Sequence, residues 1–92
     1  MENNLVTVYG KSNCPFCDLS KKLLEKNNYQ VDYVSLDDED SRKEFYKRVS
    51  EELKGLVMSV PQIWIGKQYI GGYNNLAEYI KNKNEIKFDE EF

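Results

Sequence analysis

The stretch Leu5-Val6-Thr7-Val8-Tyr9-Gly10-Lys11-Ser12-Asn13-Cys14-Pro15-Phe16-Cys17 runs from a β-rich segment straight into two closely spaced thiols. Thr7 and Tyr9 alternate with Val6 and Val8, the pattern of a strand buried on at least one face. After the loop Gly10 to Asn13, Pro15 suits the first position of a helix, where its missing N–H costs nothing and its fixed φ is already helical. Phe16, Leu19, Leu23 and Leu24 then recur at helical spacing until Asn27-Asn28 closes the segment. Cys14 therefore falls at a helix N-terminus, where free N–H groups and the positive end of the helix dipole favour an anion.

Working outward, Tyr29 to Leu36 is rich in Val and Tyr and reads as a second strand. A strand, helix and strand in succession make a parallel pair with a right-handed crossover. The acidic run Asp37-Asp38-Glu39-Asp40 reads as a solvated loop or as favourable charge at a helix start. Ser41 and Glu44 have the capping-box spacing, and Phe45, Tyr46, Val49 and Leu53 carry an apolar helical face to Gly55, the expected stop. Ser59-Val60-Pro61 leads into Gln62-Ile63-Trp64-Ile65, Gly66-Lys67 and Gln68-Tyr69-Ile70, an antiparallel hairpin around a two-residue turn. Gly71-Gly72 ends it, and Asn74 or Asn75 is placed to cap a third helix through Leu76, Tyr79 and Ile80. The charged tail from Lys81 to Phe92 is expected to fray or to add a last turn. The pattern is β-α-β-α-β-β-α, and Trp64 reads as core.

Ninety-two residues suit one domain, residues 1–92. No apolar run approaches the roughly 18 residues of a membrane span. The N-terminal Met1-Glu2-Asn3-Asn4 has no basic and apolar blocks of an export signal, so the expected compartment is the cytoplasm, with no membrane partner. A net charge of -3 supplies no basic field for phosphate backbones, so nucleic acid is not an expected partner.

A reducing compartment disfavours structural disulfides and points a close cysteine pair toward catalysis or metal binding. A thiolate, not a thiol, attacks disulfides. Cys14, with Lys11 nearby, is the expected nucleophile. Cys17 lies one turn further along the same helix face, placed to attack a mixed disulfide formed on Cys14. Two other readings stay open at this point. A structural disulfide across so short a loop would constrain little of the unfolded chain. Zinc needs about four ligands, so with two cysteines and no histidine an intrachain site would need carboxylates at unmarked positions, and a zinc or iron–sulfur site shared between two chains stays open.

With these motifs assembled, the chain resembles the glutaredoxins of the thioredoxin-like superfamily from Leu5 to about Ile80. The resemblance rests on Lys11 with Cys14-Pro15-Phe16-Cys17, on Ser59-Val60-Pro61-Gln62-Ile63-Trp64-Ile65, and on Ile70-Gly71-Gly72-Tyr73. It implies an α/β thioredoxin-like fold, a four-stranded mixed sheet flanked by helices, and a cis peptide before Pro61. It implies a dithiol enzyme, catalytic at Cys14 and Cys17, that reduces protein disulfides and glutathione mixed disulfides with glutathione and needs no metal. Carried over residue by residue, Lys11 would face the glycine carboxylate of glutathione, with Lys47 or Arg48 as a further charge. Phe16, Ser59, Val60 and Pro61 would form the groove, and Gly72, Tyr73 and Asn74 would receive the γ-glutamyl end. Asn74 stands where many members carry aspartate, Phe16 replaces the commoner tyrosine, and Ser59 replaces threonine. The expected partners are glutathione and disulfide-bearing proteins, with ribonucleotide reductase one family-level candidate, and the expected state is a monomer. Two rivals are a glutathione-assisted iron–sulfur or zinc dimer and a thioredoxin-like hydrogen donor fed by a flavin reductase.

Overall fold

Val6 and Val8 are wholly buried while Leu5 and Thr7 between and beside them are not, so the first strand, β1 (Leu5–Gly10), keeps one face inward along its length. It is followed by α1 (Pro15–Lys26), β2 (Gln30–Ser35), α2 (Glu39–Leu53), β3 (Gln62–Ile65), β4 (Gln68–Gly71) and α3 (Tyr73–Asp89). These elements come from a computed structural model that describes residues 5–89, with side chains through residue 83. The strands lie in the order β2-β1-β3-β4. β1 pairs parallel with β2 and antiparallel with β3, and β3 pairs antiparallel with β4. The expected element order and mixed four-stranded sheet are both present. The hairpin turns at Gly66, whose φ of 60° suits a residue without Cβ.

The sheet separates two apolar clusters. On one face Val6, Val8, Leu24, Ile63, Leu76 and Ile80 bring α1 and α3 together over the central strands. Burying each of these large side chains stabilises by about 1.5–3 kcal/mol relative to exposure. On the other face Leu36, Phe45 and Val49 pack with Tyr9, Val57, Val60 and Trp64. There α2 meets the sheet through rings: Tyr9 and Phe45 have centroids 4.5 Å apart, and Trp64 stands edge-on to Tyr9 at 5.5 Å. Trp64 is thus a half-buried core residue, as read from the sequence.

The helix ends depart from expectation in informative ways. α2 starts at Glu39, before the proposed Ser41–Glu44 box, because the Asp38 carboxylate accepts the Ser41 N–H at 2.9 Å and is itself the N-cap. Glu39 and Asp40 then sit in the first turn, where the helix dipole favours them. At the other end the left-handed residue is Lys54, φ 56°, and Gly55 only supplies the N–H that bonds Ser50 O. α3 begins at Tyr73, ahead of both candidate asparagines, and runs through the charged tail to Asp89. The rest of that tail, residues 90–92, lies outside the described residues. No helix among the described residues is long and apolar enough to cross a membrane.

Candidate active site

Cys14 closes the β1–α1 loop as the N-cap of α1, with Pro15 immediately inside the helix. Its Sγ accepts the Cys17 N–H at 3.2 Å, so the first-turn amide that favours an anion is aimed at this sulfur. The two cysteines are joined as a disulfide, their Cα atoms 5.2 Å apart. Cys14 keeps 8% of its surface exposed and Cys17 none, so a partner sulfur reaches only Cys14.

The loop that carries Cys14 is fastened from outside. Ser12 donates both its N–H and its hydroxyl to the two Asp37 carboxylate oxygens, each at 2.7 Å. The backbone and then the hydroxyl donor hold the Asp37 carboxyl below its usual range, with Arg42 adding a smaller pull. Arg42 also donates to Leu36 O at 2.9 Å, which fixes the start of this segment. Sequence reasoning treated Asp37 as part of a solvated run. Its only sequence signal was an acidic residue directly after a strand, which does not name a partner 25 residues away.

A second segment meets the dithiol from the far side of the sheet. The Val60–Pro61 bond is cis, and Val60 O lies 4.0 Å from Cys14 Sγ. The buried Gln62 steadies this turn by donating to Ser59 O at 3.0 Å while its own oxygen accepts the Tyr69 hydroxyl. Gln62 and Tyr69 were not anticipated as site residues.

Beside this turn opens a cavity of about 130 Å³ lined by Phe16, Ser59, Val60, Pro61, Gly72, Tyr73 and Asn74. Phe16 is 54% exposed and stacks on Tyr73 at 5.6 Å between centroids, which makes one wall. Seven of the sequence-derived groove residues therefore come together. Lys11 does not line the cavity; it lies half-buried in the loop between β1 and Cys14. Arg48 lies elsewhere, over the Phe45 ring at 5.7 Å and in a different cavity, and Lys47 is exposed on α2. At the start of α3 the Gly72 N–H donates to Asn75 Oδ1 at 3.1 Å, so the capping asparagine is Asn75. The same Asn75 oxygen would stand 2.6 Å from a Cβ at Gly71, whose φ is 121°. Gly71 is thus confined to glycine twice over.

Residues 6–70 match the family model for glutaredoxin. The chain belongs to the glutaredoxin family. It is 35% identical to glutaredoxin 1 of Escherichia coli over 79 residues, covering 80% of this chain and 89% of that protein. The crystal structure of glutaredoxin 1 from Francisella tularensis complexed with cacodylate is 34% identical, with a TM-score of 0.75 over 85% of this chain and 96% of that one. A buckwheat glutaredoxin solved as a glutathione complex is 22% identical and shares the fold, with a TM-score of 0.75 over 89% of this chain and 73% of that one. Family membership and the paired cysteines make the protein a thiol-disulfide oxidoreductase of the dithiol type.

Proposed function

We propose that this glutaredoxin is a glutathione-dependent reductase of protein disulfides and glutathione mixed disulfides, acting as a single-domain monomer in the cytoplasm. The observation that carries the reading is the groove formed by Phe16, Ser59, Val60, Pro61, Gly72, Tyr73 and Asn74, which adjoins a carbonyl 4.0 Å from Cys14 Sγ.

Cys14 is the nucleophile. Its thiolate attacks one sulfur of the target disulfide; the new S–S bond forms at Cys14, and the other sulfur leaves as a thiolate that takes a proton from water. When the target is a glutathione mixed disulfide, glutathione stays on Cys14. A second glutathione thiolate then attacks the glutathionyl sulfur, releasing glutathione disulfide and the Cys14 thiolate. When the target is a protein disulfide, Cys17 attacks the mixed disulfide, frees the reduced protein and closes the Cys14–Cys17 bond. Two glutathiones then reopen it.

Glutathione fits the groove with its cysteinyl backbone paired, strand-fashion, to the N–H and C=O of Val60. Its γ-glutamyl carboxylate meets the first turn of α3, whose amides have no carbonyl one turn behind them. Because Asn75 occupies the Gly72 N–H, that contact falls to the Tyr73 and Asn74 end of the turn. Lys11, in the loop just before Cys14, is the cation assigned to the glycine carboxylate.

The test is reduction of a glutathionylated small disulfide, coupled to glutathione reductase. Turnover at glutathione concentrations near 1 mM is expected. Turnover with dithiothreitol but none with glutathione would sink the reading.

A further inference from the structure

Three elements converge on the buried sulfur, and one brings a hydroxyl that the reaction as described does not use. Tyr33, on β2, lies opposite Val8 of β1, half-buried, with its ring under the loop that carries the dithiol. Its hydroxyl donates to Lys11 O at 3.3 Å. The position a Cβ would take at Gly10 is 2.5 Å from Tyr33 Oη and 2.8 Å from Cys17 Sγ. The phenol oxygen and the sulfur therefore flank one backbone position that glycine keeps bare, while in this disulfide form the hydroxyl is bonded to Lys11 O.

Cys17 has no exposed surface. When it attacks, negative charge develops on a sulfur that water does not reach, and a buried charge without a hydrogen bond is costly. The Cys17 N–H is directed at Cys14 Sγ. The Tyr33 hydroxyl hydrogen is free to rotate, and its bond to Lys11 O is longer than an ordinary O–H···O bond, so re-aiming it costs little. We propose that the Tyr33 hydroxyl is the donor that steadies the charge on Cys17 Sγ during attack on the mixed disulfide at Cys14.

The step balances without a further reagent. The Cys17–Cys14 bond forms, the bond from Cys14 to the substrate sulfur breaks, and the proton that Cys17 gives up is balanced by the one the departing substrate sulfur takes on as it leaves as a thiol. Tyr33 keeps its own proton. Burial first, and then the Asp18 and Asp37 carboxylates, hold that phenol above its ordinary range. Lys21 Nζ, 4.7 Å from the ring centroid, is the cation facing it. The inference rests on the resolving role proposed for Cys17.

The experiment uses no glutathione, so its outcome is independent of the glutathione reading. Reduced protein is mixed with one equivalent of 5,5′-dithiobis(2-nitrobenzoate) in a stopped-flow instrument. The first thionitrobenzoate is released in a bimolecular phase by Cys14, and the second in a unimolecular phase by Cys17. In Tyr33→Phe, which keeps the ring, the ratio of the second rate to the first falls about tenfold, as expected for losing a hydrogen bond to a charged group. The pH midpoint of the second phase rises. In a chain carrying 3-fluorotyrosine at position 33, a stronger donor, the midpoint falls. An unchanged ratio, or equal slowing of both phases as a loosened loop would give, overturns the proposal. Release of one equivalent by the unaltered protein removes the resolving role and the inference with it.

Discussion

Adding one methyl group at Gly10 tests how tightly the dithiol is seated. In Gly10→Ala the new Cβ would stand 2.5 Å from Tyr33 Oη, 3.0 Å from Tyr33 Cζ and 2.8 Å from Cys17 Sγ. Retreat is blocked on every side. The Gly10 backbone is paired with β2, and its carbonyl accepts the Leu36 N–H at 2.7 Å. Cys17 is tied to Cys14 within α1, and Tyr33 is a rigid ring whose withdrawal breaks its bond to Lys11 O. Overpacking of this kind costs about 1–3 kcal/mol, and the lost long hydrogen bond about 0.5 kcal/mol. The gain from restricting the unfolded chain returns about 0.4–1 kcal/mol. The net is about 2 kcal/mol, which for a domain of this size lowers Tm by about 10 °C. Thermal melts of the oxidised protein followed by circular dichroism measure it. Because the nearest clashing atom is the phenol oxygen, Tyr33→Phe should recover about 1 kcal/mol in the Gly10→Ala background. A melt within about 2 °C of the unaltered protein, or strict additivity of the two changes, would refute the packing argument.

Cys14→Ser should abolish all thiol transfer, whereas Cys17→Ser should keep deglutathionylation and lose reduction of protein disulfides; assays with the two substrate types read the split. Asn74→Asp should lower the KM for glutathione by restoring a charge toward the γ-glutamyl ammonium, and an unchanged KM would mean that Asn74 makes no such contact. Ser12→Ala should move the Asp37 carboxyl pKa up toward its ordinary value, as followed by carboxyl NMR. The sign follows from the depressed folded-state value. The Ser12–Asp37 fastening contributes its full stability above the ordinary carboxylate range and loses it as pH falls through the lowered pKa. Lys54→Gly should stabilise by about 0.5–1 kcal/mol, because the position is left-handed and lysine carries a Cβ there; urea unfolding reads that gain.

The strand and helix order was legible because each element carries its own local signature. Val6 and Val8 alternate with polar neighbours, Pro15 stands where only a helix start accepts it cheaply, and Gly66-Lys67 separates two β-rich runs. The boundaries that shifted did so where several residues competed for one role. Asp38 and Ser41 are both of residue types that cap helices, and Asp38 takes the role, its carboxylate accepting the Ser41 N–H three residues ahead. Gly55 was the natural helix stop, yet Lys54 takes the left-handed turn and Gly55 bonds one residue later. Phe16, Ser59, Val60, Pro61, Gly72, Tyr73 and Asn74 line one cavity, whereas Lys11 and Arg48 lie outside it. Missing from the sequence were the polar partners: Ser12 with Asp37, Tyr33 with Lys11 O, and Gln62 with Tyr69 across the hairpin. A carboxylate, phenol or amide looks the same in a sequence whether water or a distant residue satisfies it.

The division of the apolar interior by the sheet sets how the molecule breathes. α1 and α3 share one continuous cluster, whereas α2 rests on Phe45, Val49 and the rings they touch. Ser50 of α2 holds both the N–H and the C=O of Val57, three residues ahead of Val60. We expect opening of α2 to loosen the Ser59–Pro61 wall through Ser50 and Val57, with amide exchange faster along α2 than along α1. Reactivity and fit thus rest mainly on different packing clusters: the attacking sulfur belongs to the helix shared with α3, and the cleft wall is tied to α2.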